Sequence, residues 1–231
     1  MSFGPGTLTD NNLLELIRHN LPNLRVYKAV GRDEPERGFD WEWWVGNPAT
    51  GYWRYSIQAK KLNLGTGQYQ CVRHQVAQRW QIDILADHAR SCGTIPLYCF
   101  YNATPTVQQH RHWHCARPFA PTQLGCSLAP LSIVRATHDV RIQRTFDLFH
   151  QDPRVLPWHC IPSPAPTPNS ATPPNPFAPT DHRPRLFGTI PAFLQDHPTP
   201  HTMIDLPDDL YQSELGGRPR WVMILDTSER A

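Results

Sequence analysis

Residues 38–62 carry the sharpest alternation of apolar and polar positions in the chain. In Asp40-Trp41-Glu42-Trp43-Trp44-Val45, a period of two puts Asp40, Glu42 and Trp44 on one face of a strand and Trp41, Trp43 and Val45 on the other. The run Trp53-Arg54-Tyr55-Ser56-Ile57-Gln58-Ala59-Lys60 separates in the same way. Arg54, Ser56, Gln58 and Lys60 share a face, and Trp53, Tyr55, Ile57 and Ala59 take the opposite one. Gly46-Asn47-Pro48 and Gly51 supply turn residues between two aromatic, β-branched segments, so the pattern predicts a hairpin. One of its faces suits a core. The other carries two carboxylates, an amide and an ammonium.

The flanking pattern predicts helices and further strands. Thr9 or Asp10 can cap a helix reaching about Asn20, with Leu13, Leu14, Leu16 and Ile17 as its apolar stripe and Leu21-Pro22 as its stop. Glu15 lies between those apolar positions, either solvated or reaching the polar face of the hairpin. Residues 24–30 read as a strand and 31–38 as a charged loop. Residues 75–91 read as a helix in which Val76, Trp80, Ile84 and Leu85 face the sheet; Gly93 closes it, and residues 95–101 follow as a buried strand. Residues 131–138 are a strand or short helix, 140–150 a basic amphipathic helix and 206–210 the start of a short helix. The apolar run 219–226 is a strand that returns to the main sheet or packs beside it. The order helix, three strands, helix, strand implies a helical crossover between parallel neighbours, hence an α/β fold with a mixed sheet flanked by helices.

Composition changes this picture in three respects. The chain has 231 residues and 25 prolines, nine of them between Pro162 and Pro184. That density predicts a core over residues 1–160, an extended proline-rich surface insert over 161–185, and a segment 186–231 returning to the core. Six cysteines without a C-x-x-C pair fit a reducing compartment, which places the chain in a cytoplasm. The sequence lacks an apolar run long enough to span a bilayer, so no membrane partner is expected. A net charge of +2 does not by itself announce nucleic acid, though a local basic groove remains open.

An αβββαβ order with Asp40 on the second strand and Gln58-Ala59-Lys60 on the third resembles the PD-(D/E)xK, or restriction-endonuclease-like, nuclease superfamily. The string Ile57-Gln58-Ala59-Lys60-Lys61 is most similar to Mrr-type restriction endonucleases, in which Gln commonly opens the motif. The resemblance covers about residues 9–102. It implies that Asp40 is the metal-binding aspartate, Gln58 the middle residue and Lys60 the lysine, with Glu15 a loose match to a first-helix glutamate. Phe39 stands where the family has proline. Gln58 replaces the commoner carboxylate and removes a negative charge, which Glu42 can restore from the same face.

The chemistry also follows from the residues. Phosphodiester hydrolysis needs a nucleophilic water near pH 7 and stabilisation of charge on phosphoryl oxygens, and a divalent ion supplies both. Mg2+ or Mn2+ favours oxygen donors, which Asp40, Glu42, the Gln58 amide and the Ala59 carbonyl offer. Lys60 would orient water or offset negative charge. Asp40, Glu42, Gln58 and Lys60 are therefore the expected catalytic residues, with DNA ahead of RNA as substrate. A non-catalytic nucleic-acid-binding protein on the same fold is the alternative, and a solvated, functionless outer sheet face is the bland one. Trp44 is left open between core and base stacking, and Gln81 between solvent and support of the site. His110, His112, His114, Cys115, Cys126, His159 and Cys160 crowd into one later region. They suggest either a zinc site of unusual spacing or a polar loop.

Overall fold

A computed structural model of the chain describes residues 4–29, 38–103, 110–115, 118–120, 125–140, 142–161, 177, 179, 181–195, 203–204 and 219–228. Helix α1 (Pro5–Arg18) begins earlier than Thr9 because Pro5 sits in its first turn, where a missing N–H costs nothing. Thr9 is buried inside it and shares a 2.7 Å hydrogen bond with the Tyr101 hydroxyl. Strand β1 (Leu24–Ala29) follows, then β2 (Trp41–Asn47) and β3 (Gly51–Asn63), which form the expected antiparallel hairpin with Glu42 opposite Ser56 and Trp44 opposite Arg54. Its turn is closed by Asn47, whose Oδ1 accepts from the backbone N–H groups of Ala49 and Thr50, both at 2.9 Å.

Two short hairpin elements come next, β4 (Gln68–Tyr69) against β3 and the pair β5 (Gln75–Val76) and β6 (Arg79–Trp80). Helix α2 (Gln81–Cys92) therefore starts six residues later than the apolar spacing predicts. Val76 and Trp80 stand four apart, like a helical stripe, but they belong to a tight hairpin whose turn puts Ala77 and Gln78 at positive φ. Gly93 ends α2 in the left-handed conformation, as expected. Strand β7 (Ile95–Tyr101) then pairs parallel to β3. Strand β8 (Cys126–Pro130), helix α3 (Leu131–Ala136), helix α4 (Phe146–His150), strand β9 (Leu156–Pro157) and a 3-10 turn over Trp158–Cys160 complete that side. Strand β10 (Leu186–Phe187), helix α5 (Ala192–Gln195), β11 (Met203–Ile204) and β12 (Trp221–Asp226) are the later elements. Most of the proline-rich insert and the helix expected at 206–210 lie outside the described residues.

The main sheet runs β11-β1-β12-β2-β3-β7-β8-β9, with β4 and β10 added at β3. It is mixed and flanked by helices, so the chain is an α/β protein. The strand at the end of the sequence does return to the sheet, and it inserts between β1 and β2, antiparallel to the first and parallel to the second. Three-strand contiguity of β1, β2 and β3 is therefore absent. Asp10 of α1 anchors the start of β12 by accepting from the Trp221 indole N–H at 2.8 Å and from Arg220.

Both sheet faces are covered. The aromatic face, with Trp41, Trp43, Val45, Tyr55, Ile57 and Ala59, packs under α1 and against Trp158. Helix α2 lies on the opposite face, where Ile82, Leu85 and Ala86 meet Phe39, Tyr98 and Phe100. Of the two helices, α1 alone shares a core with Trp41 and Trp43. Trp44, on the second face, is buried against Phe187 with ring centroids 5.0 Å apart and lies under the Arg54 guanidinium, so it is a core residue and not a platform for bases.

A buried hydrogen-bond chain ties β4, β7, β8 and α4 together. The Tyr69 hydroxyl donates to Asn102 Oδ1 (2.5 Å), Asn102 Nδ2 to Ser127 Oγ (3.0 Å), and Ser127 meets His150 Nε2 at 2.6 Å while His150 Nδ1 donates to the Phe146 carbonyl. Burial pushes the His150 pKa down to about 3, so it stays neutral when folded. The unfolded chain binds that proton below pH 6.5 and the folded chain does not. Stability should thus fall with pH below that point, by about 1.4 kcal/mol per pH unit from this group. Denaturant unfolding between pH 7 and 5 should show that loss, and His150→Gln should reduce its slope by one proton.

Candidate functional site

Residues of one strand send N–H and C=O toward the same neighbour every second position. Ile57 uses its carbonyl to accept from the Asp40 N–H at 2.8 Å, at the point where β2 begins. Two residues on, Ala59 points the same way past the end of β2, where no ladder partner remains. The Asp40 side chain fills that position, its Oδ2 accepting from the Ala59 N–H at 2.6 Å and from Gln58 Nε2 at 2.5 Å. Asp40 is also held from the other side, since its carbonyl accepts from the Arg220 N–H. The structure thus brings together Asp40, Gln58 and Ala59.

Gln58 is 4% exposed, and while Nε2 donates to Asp40 and to the Ala59 carbonyl (3.2 Å), its Oε1 is buried with no hydrogen-bond partner. A buried acceptor left unsatisfied costs about 1–3 kcal/mol. Lys60 follows on the same face, 3% exposed, with Nζ donating to Gln81 Oε1 at 2.7 Å. Gln81, the first residue of α2, therefore supports the site. Burial lowers the Lys60 pKa to about 8, with the nearby Asp40 and Cys71 charges opposing that effect. Gly38 sets the distance between this corner and α2. Its φ is +74°, and a Cβ there would meet the Leu85 N at 2.6 Å and the Gln81 carbonyl at 2.8 Å, so only glycine permits the approach.

The other expected members are placed differently. Glu42 is fully buried and bound bidentately by Arg54, Nε to Oε2 at 2.9 Å and Nη2 to Oε1 at 2.5 Å, with His88 Nε2 3.6 Å away. Burial would raise the Glu42 pKa, but Arg54 and His88 outweigh it and hold the carboxyl below its usual range. Burial likewise opposes charge on His88, yet Cys92 and Glu42 raise its pKa. This corrects the expected ligand set: Glu42 is one half of a buried ion pair and does not restore the charge missing at Gln58. Glu15 is exposed and paired with Arg18 at 2.5 Å, so it does not reach the site.

The face is also not solvated: Glu42, Arg54, Ser56, Gln58 and Lys60 are all buried, with His88 of α2 beside Glu42, Gln81 of α2 on Lys60, and Phe187 of β10 against Arg54. Tyr98 of β7, in register with Gln58, adds a further buried polar atom to this face; its hydroxyl has no partner. Reading β7 as an apolar strand hid it, and the signal available was Tyr98 in the middle of that run. Far along the chain, Cys115, His159 and Cys160 come together, whereas His112 bonds Asp147 and His114 the His150 carbonyl.

Fold and site together define an α/β protein whose mixed sheet carries a buried polar layer ending in an Asp40–Gln58–Lys60 corner. The chain belongs to a family of unknown function, DUF6615, whose sequence profile matches residues 1–229. No curated protein and no solved structure matches it. No described helix is long and apolar enough to cross a membrane.

Proposed function

We propose that the chain is a metal-dependent phosphodiester hydrolase acting on nucleic acid, DNA ahead of RNA, in restriction or defence. The observation that carries this reading is the corner itself: one carboxylate, an unpartnered buried amide oxygen and a buried lysine, held on adjoining strands. Its donors fit Mg2+ or Mn2+. The Asp40 carboxylate, Gln58 Oε1 and the Ala59 carbonyl are hard oxygens, and such ions take one or two carboxylates with water and phosphate completing the shell. When bound, the ion supplies charge stabilisation at the phosphoryl group and a water of lowered pKa. Asp40 is oriented for this by the Ala59 and Gln58 N–H donors. Lys60, with a pKa near 8, can hold a proton against a phosphoryl oxygen or take one from water close to neutral pH.

A second reading, a non-catalytic nucleic-acid-binding protein on this fold, is favoured by the diversion of Glu42 to Arg54, which leaves the corner with one carboxylate. Asp40→Asn separates the two. Asparagine keeps an acceptor for the Ala59 N–H and so preserves the fold, but it removes the charge. Calorimetry with Mg2+ and Mn2+ should show binding to the wild type and none to the variant. Cleavage of linear, circular, single- and double-stranded substrates should drop by about 10²–10³. A wild type that binds neither ion and cuts no substrate would transfer the assignment to the binding protein.

A further inference from the structure

We infer that Cys115, His159 and Cys160 form a zinc site, separate from the Asp40 corner and independent of whether that corner is catalytic. Their donor atoms all lie within 4.8 Å of one another. Cys115 Sγ is 3.7 Å from His159 Nε2, Cys160 Sγ is 3.8 Å from it, and the two sulfurs are 2.8 Å apart without forming a disulfide. Three soft or borderline donors converge on one point from two stretches of chain 44 residues apart.

Each donor is positioned by structure that has its own support. His159 and Cys160 sit on the 3-10 turn whose first residue, Trp158, packs over Trp41 and Trp43 with centroids 5.8 and 5.4 Å away. Cys115 ends the 110–115 segment, which is pinned to α4 by His112 on Asp147 at 2.7 Å and His114 on the His150 carbonyl at 2.9 Å. Trp113 stacks on His159 at 6.0 Å and 30°, fixing the plane of the imidazole. His112 and His114 thus hold the segment in place, and Cys115 is the residue of that segment that joins the donor set. All three donor residues are half-buried, which leaves the ion a path to them.

The chemistry selects the metal. Two thiolates and an imidazole match zinc, which binds sulfur at about 2.3 Å and nitrogen at about 2.0–2.1 Å in tetrahedral sites. Two thiolates balance its charge, and the fourth position is left for water or a further donor. Tetrahedral geometry at those bond lengths puts the sulfurs about 3.8 Å apart, so binding would spread the cysteines by about 1 Å. That is within the reach of side-chain rotation on a turn and a segment end. The bound ion would clip the 110–115 segment to the 3-10 turn whose Trp158 packs over Trp41 and Trp43.

The full chain, purified under reducing conditions with zinc and then dialysed, should hold one zinc per molecule by elemental analysis. Replacing that zinc with cobalt(II) should give thiolate-to-cobalt charge-transfer absorption and the visible bands of a tetrahedral site. Cys115→Ser with Cys160→Ser should lose both signals, and Cys71→Ser with Cys92→Ser should keep them. The cobalt spectrum of the wild type decides the matter even if the first double variant fails to fold. A wild type with substoichiometric zinc and no charge-transfer band overturns the assignment. So does metal retained after both Cys115 and Cys160 are replaced, or a Cys115–Cys160 disulfide recovered by peptide mapping of the reduced preparation.

Discussion

Glu42→Gln should destabilise the protein by about 3–5 kcal/mol while leaving the affinity of the folded molecule for Mg2+ unchanged. The substitution keeps the shape of the side chain but removes the charge that Arg54 faces. Arg54 is 2% exposed on its side chain and lies over the Trp44 and Phe187 rings, so the guanidinium cannot turn to water for compensation. His88 also loses a carboxylate that raises its pKa. Urea unfolding measures the loss, and calorimetry on the folded fraction measures the ion. The double replacement Glu42→Leu with Arg54→Met should recover most of the stability, because removing both charges leaves neither one stranded. A Glu42→Gln protein of wild-type stability but weakened ion binding would return Glu42 to the ligand set.

Lys60→Met should have opposite effects on activity and stability. Cleavage should fall by about 10²–10³, yet at pH 7 the variant should be more stable than the wild type. Keeping an ammonium protonated where burial has lowered its pKa from 10.5 to about 8 has a cost. That difference corresponds to about 3 kcal/mol, of which the lost Gln81 hydrogen bond would take back roughly 1. The pH dependence has a definite sign. Between about pH 8 and 10.5 the unfolded chain holds a proton that the folded chain has released, so wild-type stability from this group rises with pH across that window. The methionine variant should lack that rise. Lower stability of the variant at pH 7 would make Lys60 a structural partner of Gln81.

The hairpin was legible because period-two alternation with indoles on one side and charges on the other has one reading in a strand, and Asp40, just before β2, does meet Gln58. What covers that face was not. Charged positions read as solvent-facing, but Glu42 and Arg54 neutralise each other and so can be buried, the one beside His88 of α2 and the other against Phe187 of β10, an outcome that depends on a pairing two positions offset across the ladder. The helix start was misplaced for a related reason, since Val76 and Trp80 in a six-residue hairpin have about the same spacing as one helical turn. Strand β8 escaped because Cys126-Ser127-Leu128-Ala129-Pro130 is short and alternates weakly. Its place against β7 is set by tertiary packing. The convergence of Cys115 with His159 and Cys160 has no spacing signature, because strands β8 and β9 and helices α3 and α4 intervene between them.

The insertion of β12 between β1 and β2 orders the events of biosynthesis. Strands β1 and β2 emerge early, but they cannot pair with one another in the native arrangement, because the strand that joins them is made from residues 221–226. A nascent chain that already has its hairpin still shows a ribosome-side or chaperone-side observer one unpaired edge of β2, lined with Trp41 and Trp43 on one face. Unpaired apolar edges of this kind invite pairing with other chains. Closure of the sheet is thus deferred until translation has passed Asp226, and a product truncated before that point would be left with an adhesive edge that quality-control machinery can recognise.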